Sequence, residues 1–370
     1  MPNTQNKPKI ISVFNNKGGV GKTTYLYHLA HLLAESGKKV LCVDCDGQCN
    51  LTAYFLENNI IKKIEDILSK NPNQVLNSIF NKNLFNSNYE GLEEVLSPVI
   101  GLNGDYKYKD PISIPLEHQQ NTNSKNIKLI AGSQNITRYE ELLSNNTNTL
   151  EKTQVRTQTA LYRYILEVAS QNDIDIVLCD LSPNLGALNK NIIGFSDRFI
   201  IPLNTDLFSI QGLANLGSKI AEWKDYWKMY NSNYINHKKS EEKYKVPQGN
   251  VLLTGYVVQR FGISNGRMAT AFEAFAQLFT GCINEYVARP LGQTFGTGQF
   301  FNIGEIPNYN SLIPIAMNAG KPIFDLVSKD FHAIDGSSIT YTNSKIKMSE
   351  CKAAYTKSCK VILELLQPII

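Results

Sequence analysis

The sequence predicts an α/β fold: a doubly wound, mainly parallel twisted sheet flanked by helices, with a helical and looped insertion. Three observations predict it. A glycine-rich loop stands between the apolar run Ile10–Phe14 and the amphipathic stretch Lys22–Glu35. A second apolar run, Val40–Val43, follows Gly37, so strand, helix and strand fit within about 35 residues as a parallel βαβ unit. Apolar strands then keep alternating with helical stretches, and the ligand crevice of such a sheet lies at the strand carboxyl ends. The 370 residues, 42% of them hydrophobic, can bury a core, which excludes global disorder. The whole chain reads as one domain of about 270 residues enlarged by insertions.

The elements follow in order. Leu26, Leu29, Ala30 and Leu33 form the apolar stripe of the first helix, and Gly37 stops it. Residues 52–126 are Asn-rich and broken by Pro72, Pro98, Pro111 and Pro115, which reads as an insertion. Its helical pieces are Ile64–Leu68, Asn73–Phe80 and Leu92–Leu96, and Gly101–Asn126 reads as an exposed loop or hairpin. Order returns with a strand at Ile127–Ala131 and helices at Thr137–Leu143 and Thr153–Gln171. Strands at Ile174–Cys179, Arg198–Leu203, Val251–Val258 and Phe300–Ile306 alternate with helices at Ser209–Tyr230 and Arg267–Val287. Residues 231–249 form a polar surface excursion, and Lys345–Leu366 a terminal helix.

Charge and cysteines narrow the class. No apolar run approaches the ~20 residues of a membrane-spanning helix. The polar start, Met1–Lys9, has no signal-peptide pattern. A net charge of +4 leaves room for a local basic face. Seven cysteines without a signal peptide read as free thiols of a cytoplasmic protein. Cys42, Cys45 and Cys49 mimic a metal cluster, but Cys42 and Cys45 point to opposite faces of an extended chain.

Lys17-Gly18-Gly19-Val20-Gly21-Lys22-Thr23-Thr24 lies between the first strand and the first helix, the setting a phosphate loop requires. Its glycines let backbone N–H groups turn towards phosphate oxygens, and the helix N-terminus adds its positive dipole end. Lys22 can neutralise the β- and γ-phosphates, Thr23 can bind Mg²⁺, and Thr24 is placed for the α-phosphate. The loop departs from the general pattern: Asn16 stands where a glycine is usual, and Lys17 is an additional lysine.

IISVFNNKGGVGKTT resembles the deviant Walker A box of the ParA/MinD ATPases, closest to the ParA/Soj partition type. The resemblance implies a P-loop ATPase that hydrolyses ATP with Mg²⁺ and forms a nucleotide-sandwich homodimer. In that dimer Lys17 would reach the partner subunit's ATP. Asp44-Cys45-Asp46-Gly47-Gln48-Cys49-Asn50 resembles the second box, with Asp46 orienting the attacking water and Asp44 supporting metal and lysine. Gly47 replaces the usual proline. Asp173–Gly186 resembles the third box, with Asp180 holding the Mg²⁺ hydration shell and Ser182–Gly186 sensing the γ-phosphate.

Ile201–Leu213 resembles the segment leading into a dimer-facing helix, and Gly304–Leu326 the closing segment beside adenine. By that analogy Pro307, Asn308 and Gln259 are candidates for base contacts. The likeness covers Lys9–Asn50, Ile127–Phe261 and Gly304–Leu326. It implies non-specific DNA binding, a ParB-like stimulating partner and a nucleoid-associated cargo-partition role. Candidate DNA contacts are Arg260, Arg267, Lys219 and Lys224, with Arg289 nearby; such binding needs phosphate neutralisation rather than base readout. The alternatives are a membrane-cycling ATPase of the MinD type, and a ligase or scaffold on the same fold. The basic tail, with Tyr355, Cys359, Ile362 and Leu366, reads as a packing stripe rather than a membrane anchor.

Overall fold

A computed structural model describes residues 7–56, 89–114, 126–145, 150–237, 244–261, 263–264, 267–268, 270–293, 302–309, 311–331 and 340–366. The strands are β1 (Lys9–Val13), β2 (Val40–Asp44), β3 (Ile112–Ile114), β4 (Ile127–Ile130), β5 (Ile176–Asp180), β6 (Arg198–Asn204), β7 (Leu252–Phe261) and β10 (Asn302–Pro307). They form one sheet in the order β10-β7-β6-β1-β5-β2-β4-β3. Only the edge pair β3–β4 is antiparallel. A separate two-stranded ribbon pairs β8 (Ile263–Ser264) with β9 (Arg267–Met268).

The central strands are nearly continuous apolar runs because both faces are covered. Alternate residues feed two cores: Ile10, Leu41 and Val43 pack on one face, Ile11, Val40 and Cys42 on the other. Cys42 and Cys45 accordingly fall in different cores.

One face carries α1 (Lys22–Glu35) and the long C-terminal helix, Tyr341–Leu366. Tyr355, Cys359 and Ile362 of that terminal helix are buried in the core, as the packing-stripe reading expects. The other face carries α3 (Leu92–Ile100), α4 (Thr137–Asn145), α5 (Lys152–Gln171), α6 (Ala187–Phe195), α7 (Leu207–His237) and α8 (Thr270–Ile283). The short α2 (Asn50–Leu56) follows the second box.

Several boundaries differ from the sequence reading. The expected pieces Ile64–Leu68 and Asn73–Phe80 lie outside the described residues. The end of the expected insertion belongs to the core, since Leu92, Val95, Leu96 and Val99 of α3 are buried there. Pro98 does not stop this helix. The Glu94 carbonyl that proline leaves without a backbone donor accepts from Ser97 Oγ at 2.9 Å. The Gly101–Asn126 tract contributes the edge strand β3. Helix α7 runs on to His237, through the first part of the expected excursion, and Tyr244 and Val246 return to pack beside Trp227 and Tyr230. Arg267 starts β9 rather than a helix; α8 begins at Thr270 and ends in a π-turn, Asn284–Ala288.

Candidate functional site

The register brings three motifs to one edge. Val13 and Asp44 both pair with Asp180, so the loops after β1, β2 and β5 leave the sheet side by side. Gly21 caps α1 with a left-handed backbone and no side-chain bond, leaving the first helical N–H groups for an anion. A Cβ at Gly21 would run into the Gln259 amide, whose Nε2 donates to the Gly21 carbonyl at 3.3 Å. Among the described residues nothing stands within 4 Å of a Cβ built on Gly18 or Gly19, so the cradle there is open to them.

Lys22 is buried, and its Nζ donates to the Lys17 carbonyl at 3.3 Å. Burial pushes its ammonium pKa down, against the pull of Asp180 and Asp46. Thr23 Oγ1 donates to Asp180 Oδ2 at 2.7 Å, while Asp180 Oδ1 is buried with no partner among the described residues. Burial first, then Asp44, pushes the Asp180 carboxyl well above the usual range despite Thr23 and Lys22. A buried carboxylate oxygen with no donor beside a threonine hydroxyl suits a hydrated Mg²⁺, which takes few protein ligands.

Asp44, the expected support of metal and lysine, is bonded within its own loop. Its Oδ2 accepts from Thr52 N at 2.8 Å and Thr52 Oγ1 at 2.7 Å, and its Oδ1 from Asp46 N at 3.2 Å. Burial raises its pKa to about 6 even so. Asp44 therefore shapes the second loop from within. Asp46 accepts from Gln48 N at 3.0 Å, which fixes its carboxylate in that loop without help from proline at position 47.

Lys17 lies on the other side of the loop. Its Nζ meets Asp206 Oδ2 at 2.5 Å and stands 5.7 Å from the Phe208 ring centroid, both at the start of α7. Asp206 Oδ1 also accepts from Ser209 N at 2.8 Å, a helix cap. Partial burial works to raise the Asp206 pKa, but Lys17 and Ser209 hold it below the usual range. Asp206 and Thr52 are absent from the sequence-based candidates. The Asp206-to-Ser209 spacing is a capping pattern, but nothing local marks its lysine partner. His28 was likewise unmarked: its ring meets the Thr24 carbonyl at 2.7 Å and accepts from Ile323 N at 3.1 Å.

The remaining candidates separate. Gln259 reaches the phosphate loop; Pro307 ends β10 and Asn308 follows it, one strand further out. Thr24 Oγ1 lies 3.1 Å from the Tyr54 hydroxyl. Arg260 stands in β7 and Arg267 in β9, with side chains outside the described part of the structure. Lys219 pairs with Glu222 at 2.7 Å, and Arg289 with Glu285 at 2.9 Å. Lys224 is a correction: it is buried and donates to the Leu291 carbonyl at 2.8 Å, so it is not a surface contact for DNA.

A family model described as AAA domain matches residues 8–233, more than half of the chain. The chain belongs to the AAA domain family. Within it the chain is of the ParA/MinD P-loop type. Uncharacterized protein Rv1708 of Mycobacterium tuberculosis is 29% identical over 223 residues, 59% of this chain and 53% of that protein. Chromosome partitioning protein ParA of Myxococcus xanthus is 26% identical over 211 residues, 56% of each chain. The match thus spans about half the length of these relatives. Protein DIP2308 from Corynebacterium diphtheriae shares the fold at TM-score 0.60 and 22% identity, over 84% of this chain and 97% of that one. Among the described residues, no helix is long and apolar enough to cross a membrane.

Proposed function

We propose that this P-loop ATPase binds ATP with Mg²⁺, dimerises on it, holds DNA non-specifically as a dimer, and lets go on hydrolysis. A ParB-like partner would stimulate that step, and the cycle would serve partition of a plasmid, chromosome or other cargo on the nucleoid. The observation that carries the reading is the Thr23–Asp180 bond beneath an uncapped α1 N-terminus, with Asp180 Oδ1 unpartnered and Lys22 buried alongside.

Thr23 and Asp180 would hold the hydrated Mg²⁺, which supplies charge neutralisation at the phosphates. Lys22 and the α1 N–H groups bind the phosphate chain. Asp46 orients water for in-line attack, and Asp44 keeps Asp46 in place. Lys17 would leave Asp206 to reach the nucleotide of a second subunit. Asn189 Nδ2 donates to Ser182 O at 2.9 Å and Asn184 O at 2.7 Å, so α6 grips the Ser182–Gly186 loop that would sense the γ-phosphate. Gln259, Pro307 and Asn308 would flank the base; Arg260 and Arg267 would supply DNA contacts.

Phosphate release from ATP, measured with Mg²⁺ and with EDTA, tests the enzyme. DNA gel shift and liposome co-sedimentation, each with ATP and with ADP, test the platform. ATP-dependent shift of DNA without vesicle binding is expected. Vesicle binding without DNA binding would favour the membrane-cycling alternative.

A further inference from the structure

Tyr54 is buried in α2, just behind the second box. Two neighbours fix it. Two residues earlier the chain is pinned, since Thr52 N and Oγ1 donate to Asp44 Oδ2 at 2.8 and 2.7 Å, and Gly132 N donates to Thr52 Oγ1 at 2.8 Å. The Tyr54 ring packs on Tyr27 of α1, with centroids 5.1 Å apart. So held, its hydroxyl lies 3.1 Å from Oγ1 of Thr24 in the first turn of α1. Thr24 is also gripped at its backbone, where the His28 ring meets its carbonyl at 2.7 Å. Thr24 itself is half-buried, between the protein behind it and the open side of the phosphate loop.

A hydroxyl has one proton to give and lone pairs to receive another. Without a nucleotide the Tyr54–Thr24 bond can run in either direction. An ionised phosphate oxygen only accepts. Placed beside Thr24, it takes the threonine proton, and Tyr54 must then give its own proton to Thr24. We propose that Tyr54 is a positioning residue for the nucleotide: it donates to Thr24 Oγ1 and so commits the Thr24 proton to the α-phosphate. The inference rests on the proposed binding of ATP, with Thr24 at the α-phosphate. Chained hydrogen bonds polarise one another, and a bond to an anionic oxygen is stronger than a neutral one. Tyr54 is held before any ligand arrives, so little ordering is lost when the chain forms. ATP and ADP share the α-phosphate, so the contribution is the same for both.

The full chain with Mg²⁺ is titrated with fluorescent analogues of ATP and ADP, as wild type, Tyr54→Phe, Thr24→Val and the double variant. Tyr54→Phe keeps the ring on Tyr27 and removes only the hydroxyl. It should weaken ATP and ADP alike by about 2–10-fold, the worth of one hydrogen bond. Thr24→Val should weaken both by about tenfold or more, as for a bond to a charged group. In the Thr24→Val background Tyr54→Phe should change either affinity by less than about twofold, because the bond it acts through is gone. In a Thr24→Ser background, which keeps the hydroxyl, the Tyr54→Phe loss should persist. Thermal melts show that each variant is folded at the temperature of titration. An equal loss in the Thr24→Val and wild-type backgrounds would mean that Tyr54 acts by packing, and would overturn the proposal. So would an unchanged affinity in Tyr54→Phe, or a loss confined to ATP, which would place the effect at the γ-phosphate. A wild type that binds neither nucleotide would overturn the ATPase reading and this inference with it; the other three results, with a wild type that binds, overturn the inference alone.

Discussion

The two lysines of the phosphate loop, Lys17 and Lys22, are held in different ways. Lys22 is buried, bonded to backbone and flanked by Asp180 and Asp46. Lys17 reaches out of the loop to one carboxylate on another helix, in a pair whose side chains are 29% and 36% exposed. The inner half of the loop is thus built for a phosphate before any ligand arrives. The outer half is closed by a pair of a kind that contributes only about 0–1 kcal/mol, little against the binding of a nucleotide. In the proposed cycle, nucleotide affinity and dimerisation would therefore be altered separately within one short loop.

The largest expected effect falls on the inner half. Lys22→Ala should weaken ATP binding by at least about a hundredfold, the cost of removing a charged partner from buried phosphates, read by titration with a fluorescent ATP analogue. Asp46→Ala should keep ATP binding and slow phosphate release by about 10²–10⁴-fold. A normal rate in that variant would show that water is oriented by another group.

A third test concerns the support of the inner half. Neutral His28 ties Thr24 to Ile323, and burial holds its pKa at about 4. Its folded pKa lies below the unfolded value, so its contribution is present above pH ~6.5 and lost as pH falls towards 4. The gap in melting temperature between the wild type and His28→Leu should therefore close over that window. A gap independent of pH would mean that His28 acts only by packing.

The smallest effect belongs to the outer half. Asp206→Ala should change the stability of the nucleotide-free protein by about 1 kcal/mol or less, measured by urea unfolding, because pair and helix cap are both half-exposed. A loss of several kcal/mol would mean that the pair is a structural anchor rather than a latch.

The inner half was legible in the sequence because its chemistry is contiguous: glycines, Lys22 and Thr23 occur in one run between a strand and a helix. Asp46 and Asp180 were legible through their motifs, since a parallel sheet brings strand carboxyl ends together. The outer half was not. Asp206 lies 189 residues from Lys17 along the chain, and a cap pattern does not say which cation it meets. Lys224 illustrates the same gap on a helix face. A lysine in an aromatic-rich stretch reads as solvent-facing until packing turns its ammonium towards the Leu291 carbonyl. The core role of α3 was hidden by Pro98, whose broken bond is met by the neighbouring Ser97.

Size-exclusion chromatography with light scattering tests the central claim, that Lys17 exchanges its own Asp206 for the nucleotide of a second subunit. Asp46→Ala with Mg²⁺ should elute as a dimer in ATP and a monomer in ADP, and adding Lys17→Ala should leave a monomer in both while ATP stays bound. A dimer of the double variant in ATP, or a monomer of Asp46→Ala with ATP bound, would contradict it.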